Sequence, residues 1–179
     1  MYDYSFFINQ NWIFIPGYKQ GQAPHGIWLA RRTMILTGWI QSKNYNYDVA
    51  FVALSTNLNN QHIEQVLGSQ GIGFNYPRQE MTYSFGYPVN LQQGQVVQYC
   101  AAKTSRSTYT TNNYQGQQLS CDMTQGSSGG PWLQSFVVGT GVGYVTSVNS
   151  FLVIGYPNYI HGPYFDSNIK YLWEQITDK

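Results

Sequence analysis

The stretch Gly126-Ser127-Ser128-Gly129-Gly130-Pro131 sets two serines among three glycines, with a proline behind them. Glycines on both sides let the backbone turn tightly and leave bare N–H groups open to an approaching carbonyl. Such a loop suits a serine nucleophile, which is feeble in water and needs donors aimed at the oxyanion that forms on attack. Taken alone, the string is equally compatible with an ordinary Gly/Ser-rich turn. Its flanks favour the nucleophile: Cys121-Asp122-Met123 lies just upstream, and an apolar run begins at Trp132.

Outward from that loop, short β-type runs alternate with turn signals, the pattern of an all-β barrel or sandwich. Residues 12–15, 27–37, 49–54, 81–86, 96–102, 117–121, 132–138, 141–148 and 151–154 read as strands. The run 49–54 is nearly continuous in apolar residues and too short for a helix, which suits a buried strand. Gly-Tyr-Pro occurs at 86–88 and again at 155–157, and both read as turns after strands. One helix is expected at the end: Asp166 or Ser167 caps it, and Ile169, Leu172, Trp173 and Ile176 form an apolar stripe at helical spacing. Residues 63–67 allow a single helical turn.

The 179 residues bound one domain, and no linker, charge block or low-complexity tract divides them. Charged residues are only 9%, against roughly 25% in an average globular domain, whereas aromatics reach 17%. The net charge is +1 and the nine basic residues are scattered, with only Arg31-Arg32 adjacent, so no stripe exists to follow a phosphate backbone. No apolar run approaches the length that spans a membrane. Met1-Tyr2-Asp3-Tyr4 lacks the features of a signal peptide. Cys100 and Cys121 are compatible with one disulfide closing a polar loop, or with two buried thiols. There is no Cys-x-x-Cys and no histidine pair at helical spacing, so no metal and no cofactor is expected.

Three segments in the right order carry a resemblance. Cys121-Asp122-Met123-Thr124-Gln125-Gly126-Ser127-Ser128-Gly129-Gly130-Pro131-Trp132-Leu133 resembles the nucleophile segment of trypsin/chymotrypsin-like serine peptidases of the secreted bacterial, glutamyl-endopeptidase-like type. Asn46-Tyr47-Asp48-Val49-Ala50-Phe51-Val52-Ala53-Leu54 is similar to that family's aspartate motif. Trp12-Ile13-Phe14-Ile15-Pro16-Gly17-Tyr18, followed by Ala23-Pro24-His25-Gly26 and Ala30-Arg31-Arg32, resembles the region between its histidine and aspartate. The resemblance implies an all-β, chymotrypsin-like double Greek-key β-barrel with a C-terminal helix. An N-terminal barrel remnant is expected over about 1–70, and the C-terminal barrel and helix over about 71–179.

The resemblance also implies roles. Ser128 attacks the scissile carbonyl, Asp48 orients the catalytic imidazole, and the backbone N–H groups of Gly126 and Ser128 hold the oxyanion. Asp122, six residues before Ser128, stands at the offset of an acidic pocket base that selects Lys or Arg, or else simply caps the turn after Cys121. Asn149 stands where the glutamyl-specific branch carries a pocket-wall histidine, and Ser150 is expected beside the substrate main chain. Ser127 replaces an aspartate that, in animal digestive relatives, pairs with a freshly cleaved N-terminus.

The histidine is missing from its expected place. The family order is His, Asp, Ser, but His62 and His161 follow Asp48, and His25 sits in a turn that matches a loop of the family. The resemblance therefore puts the catalytic histidine before residue 1, which makes this chain N-terminally truncated with an incomplete first barrel. The expected function is serine-type endopeptidase, in a chain lacking its base. The alternatives are an inactive homologue that binds peptides, and an aromatic-rich β-domain that binds carbohydrate. The expected partner is a peptide or protein substrate, without nucleic acid or membrane, on a monomer whose full-length parent is secreted.

Overall fold

A computed structural model describes residues 11–177. β1 (Ile13–Phe14), β2 (Trp28–Ile35) and β3 (Ala50–Leu54) form an antiparallel sheet in the order β1-β2-β3. The strand expected over 27–37 stops at Ile35. There the chain turns into a short helix, α1 (Thr37–Ser42), that the sequence reading did not anticipate. A second short helix, α2 (Ile63–Leu67), falls on the predicted helical turn; His62 stands at its N-cap, and the Gln65 side-chain oxygen accepts from the His62 N–H at 2.8 Å.

The rest of the chain builds two further sheets. The first contains β4 (Gly71–Ile72), β5 (Met81–Gly86), β6 (Gln98–Lys103), β9 (Pro131–Val137) and β10 (Val142–Val148), in the order β4-β10-β9-β5-β6. Between β6 and β9 the chain enters the second sheet with β7 (Ser105–Arg106) and β8 (Gln117–Ser120). It returns there with β11 (Phe151–Val153) and β12 (Tyr156–Gly162), giving the order β11-β12-β8-β7. None of the three sheets closes on itself among the described residues. The disulfide Cys100–Cys121 joins β6 to the segment leaving β8, which decides between the two cysteine readings.

β12 corrects the reading of residues 155–157 as a turn after a strand. The turn is Ile154-Gly155, and Tyr156 already belongs to the strand. Pairing of β12 with β11 slips between Leu152↔Ile160 and Val153↔Tyr156.

Two apolar clusters position the site. In the first, Ile169, Leu172 and Ile176 of α3 (Ser167–Thr177) pack on Met34, Leu36, Val49 and Phe165. The Asp166 carboxylate accepts from the N–H groups of Asn168 (2.9 Å) and Ile169 (3.1 Å), as the cap that the sequence predicts. In the second cluster Leu119, Met123, Trp132 and Ile160 surround the disulfide. The loop carrying Ser128 leaves this second cluster, and Asp48 leaves the first.

Candidate active site

The Gly126–Pro131 loop is fixed from below. Ser127 is buried, its hydroxyl donates to the Thr124 carbonyl at 2.7 Å, and its own carbonyl accepts from the Gly130 N–H at 3.0 Å. Ser127 therefore anchors itself locally where a carboxylate would need an ionic partner. Gly126 has φ +91°, and a Cβ there would meet the Tyr87 carbonyl oxygen at 2.6 Å. A Cβ on Gly130 would collide with the Phe85 carbonyl oxygen. Both positions thus require glycine, for conformation at the first and for close backbone approach at both.

Ser128 emerges exposed from this base. Among the described residues, neither its backbone N–H nor that of Gly126 meets an acceptor, whereas Ser127, Gly129 and Gly130 all donate within the protein. Two unpaired donors flanking an exposed hydroxyl are what an oxyanion at this point needs.

Asn149, expected on a pocket wall, is buried under the loop. Its Oδ1 accepts from Ser84 Oγ and from Trp132 Nε1, each at 2.6 Å. Its Nδ2 donates to the carbonyls of Phe85 (3.0 Å) and Ser127 (2.9 Å). Backbone bonds from Gly129 N–H to the Asn149 carbonyl and from Asn149 N–H to the Gly130 carbonyl complete the clamp. The side chain has no hydrogen-bonding capacity left for a ligand; it holds the Gly126–Pro131 loop.

Ser150 lies next in the chain, and its hydroxyl donates to Asp48 Oδ2 at 2.6 Å across a sequence separation of 102. No spacing rule reveals this contact. Asp48 is half-buried, and burial pushes its carboxyl above the ordinary 3.8, with the Ser150 bond and the Lys43 charge opposing that rise. The Ser150 N–H in turn donates to the His161 carbonyl at 2.9 Å, so β12 sets the position of the hydroxyl.

Asp48, Ser150, Ser128 and Gly129 line one cavity of about 340 Å³ together with Trp12 and Trp39. None of the three histidines lines it. His25 is exposed in its turn, and His62 stands at the N-cap of α2. His161 is buried, stacked on Phe151 at 4.9 Å, with Nδ1 2.9 Å from Ser107 Oγ. Burial pushes its pKa down to about 4, so it stands neutral at pH 7.

Asp122 is exposed and apart from this cavity. Its carbonyl accepts from Asn90 Nδ2 at 2.8 Å, and its carboxylate lies beside the disulfide. Cys100, Cys121 and Asp122 form the one grouping of potential metal ligands among the described residues, but the disulfide consumes both thiolates.

An exposed serine on a glycine-bound loop, unpaired donors beside it and a half-buried aspartate across a cavity, on these β-sheets, fit the chymotrypsin type of serine peptidase fold. Solved structures agree. The protease Anisep from Arthrobacter nicotinovorans is 33% identical over 95% of this chain and 76% of its own, with a TM-score of 0.85. A thermostable serine protease, AL20, from an extremophilic microorganism is 29% identical over 94% of this chain and 76% of its own, with a TM-score of 0.84. A Glu endopeptidase shares the fold at a TM-score of 0.71 and 15% identity. No family model and no curated protein matches the sequence. The chain belongs to the trypsin/chymotrypsin-like serine peptidases.

Proposed function

We propose that this chain carries the nucleophile half of a serine endopeptidase, with Ser128 as the attacking residue. The observation that carries the reading is the cavity bounded by Asp48, Ser150 and Ser128, which no histidine lines among the described residues and at which Ser128 is exposed. An imidazole in it would face Asp48 on one side and the Ser128 hydroxyl on the other. It would take the Ser128 proton as Oγ attacks a peptide carbonyl, and return it to the leaving amine, while the Gly126 and Ser128 N–H groups stabilise the oxyanion. Asp48 fixes the tautomer and orientation of that imidazole, and Ser150 holds Asp48. On this reading residues of about 1–70 belong to the first barrel and those of about 71–179 to the second. The substrate is a peptide or protein outside the cell, a setting that suits the disulfide.

Without a base, the chain by itself is a dormant peptidase. The test is rescue by free imidazole. A fluorophosphonate probe and a peptide ester are given to the intact chain across an imidazole titration. A positioned general base is worth about 10²- to 10⁴-fold, and a freely diffusing one recovers part of that. Labelling of Ser128 and ester turnover that rise and saturate with imidazole support the reading. A linear, non-saturating rise identical in Ser128→Ala refutes it and leaves an inactive peptide-binding homologue.

A further inference from the structure

Asp48 and the two serines of the cavity hang from different sheets, so their register depends on what ties those sheets together. Asp48 closes a single tight turn, Tyr45–Tyr47, that leads into β3. Asn44 caps that turn: its Oδ1 accepts from the Asn46 N–H at 3.0 Å, and its carbonyl accepts from the Tyr47 N–H at 2.8 Å. A turn so short and so bonded moves as one body, and Asn46 stands two residues from Asp48 within it.

The Asn46 carboxamide bonds to the loop between β7 and β8. Its Nδ2 donates to the Asn113 carbonyl at 3.1 Å, and its Oδ1 accepts from the Gln115 N–H at 2.7 Å. Nδ2 also donates to Asn44 Oδ1 at 3.0 Å, so a flipped amide would set oxygen against two oxygens. The side chain thus meets the main chain on both sides of Tyr114 with the donor and acceptor of a peptide group.

The loop it grips is itself held fast. Tyr114 is buried, and its hydroxyl donates to the Gly162 carbonyl at 2.6 Å. Its ring meets that of Phe151, the residue after Ser150, at 5.2 Å. Arg78 Nη1 donates to the carbonyls of Gln115 (2.6 Å) and Gly116 (3.2 Å), with the guanidinium over the Tyr164 ring. Asn112 and Asn113 hold φ of 54° and 56°, a left-handed conformation in which asparagine is enriched. Ser150 therefore holds the Asp48 carboxylate itself, and Asn46 holds the turn from which it projects.

We propose that Asn46 is a positioning residue: by clasping the main chain on both sides of Tyr114, it sets the Asp48 carboxylate in register with Ser150 and Ser128. The inference rests on the peptidase reading for what Asp48 does, whereas the clasp itself is tested without catalysis.

Asn46→Ala is made in the native chain and in Asp48→Asn, and imidazole-supported fluorophosphonate labelling of Ser128 is compared. A misplacement of about 1 Å costs about 10²-fold at worst, so a fall of at least ~10-fold is expected where Asp48 is present. In the Asp48→Asn background, Asn46→Ala is expected to change nothing further. Gln115→Pro removes the N–H that donates to Asn46 and leaves the β1-β2-β3 sheet untouched. Tyr114, at φ −62° and ψ 123°, already has the backbone that precedes a proline, so this variant repeats both results. An equal fall in both backgrounds makes Asn46 merely structural and overturns the proposal, as does no fall in either. Apart from catalysis, the Asp48 carboxyl is followed by carbon NMR, with Ser150, Lys43 and Tyr114 the groups that act on it. A slackened Ser150 bond no longer opposes the burial of Asp48, so Asn46→Ala moves the carboxyl further above 3.8. The double variant with Ser150→Ala moves it no further than Ser150→Ala alone. An unmoved or lowered titration, or additive shifts, overturns the clasp. If the native chain shows no saturable response to imidazole, the peptidase reading fails and the Asp48 titration alone decides the positioning.

Discussion

Replacing Asn149 by alanine removes the clamp beneath the Gly126–Pro131 loop, and the cost can be worked from its partners. Trp132 Nε1 and Ser84 Oγ, both on buried residues, lose the acceptor they share. A buried donor left without a partner costs about 1–3 kcal/mol, more for the fixed indole than for a hydroxyl that can rotate. The Ser127 carbonyl keeps the Gly130 N–H and suffers less. With about 1–3 kcal/mol for the indole, about 1 for the hydroxyl and about 0.5 for each of the two carbonyls, the sum is about 3–5 kcal/mol. At roughly 2–4 °C per kcal/mol for a chain of this size, the melting temperature falls by about 6–20 °C. Thermal unfolding measures this, and imidazole-supported fluorophosphonate labelling of Ser128 measures the loop. Both are expected to fall together. A variant that melts within about 2 °C of the parent, with labelling unchanged, would refute the claim that Asn149 holds the loop.

Further outcomes follow from neighbouring residues. Gly130→Ala forces a methyl onto the Phe85 carbonyl and Gly126→Ala forces one onto Tyr87, so both are expected to lose the cooperative melt or the labelling; normal values for either contradict the close-approach account. Ser150→Ala removes the bond that opposes the burial of Asp48, so the Asp48 carboxyl, followed by carbon NMR, moves further above 3.8. Because that pKa is raised in the folded state, the contribution of Asp48 to stability is full below about pH 3.8 and is lost as pH rises through the raised value. His161 acts in the opposite sense. Its pKa is depressed, so its contribution is full above about 6.5 and is lost between there and about 4, at up to about 1.4 kcal/mol per pH unit. Denaturant melts of His161→Phe should lack that acid-side slope. Reducing the Cys100–Cys121 disulfide, which closes 21 residues, should cost about 3 kcal/mol in a denaturant melt.

Much of the fold was legible because periodicity and turn residues act locally. The strand expected over 81–86 matches β5, and the end helix has its cap at Asp166 and its buried face at Ile169, Leu172 and Ile176. β12 was hidden because the Gly-Tyr-Pro run over 155–157 signals a turn, whereas the turn is confined to Ile154-Gly155. β4 and β7 are two residues each, too short to carry a period. Around the candidate site, the glycine-bound loop about Ser128 and the strand that follows Asp48 were legible in the sequence. The contacts of Asn149 and Ser150 were not. Asn149 reaches Ser84 across 65 positions and Ser150 reaches Asp48 across 102, and contacts that distant leave no trace in spacing. Asp122 had the expected offset from Ser128, yet its side chain is exposed beside the disulfide, because offset along a loop does not fix the direction of a side chain.

The most direct test is to map the fluorophosphonate adduct by mass spectrometry in the native chain supplied with saturating imidazole. The account predicts one adduct, on Ser128, that disappears on denaturation and in Asp48→Asn falls well below the native level. An adduct spread over several serines, or equal labelling of Ser128 in native and denatured chains, would contradict it.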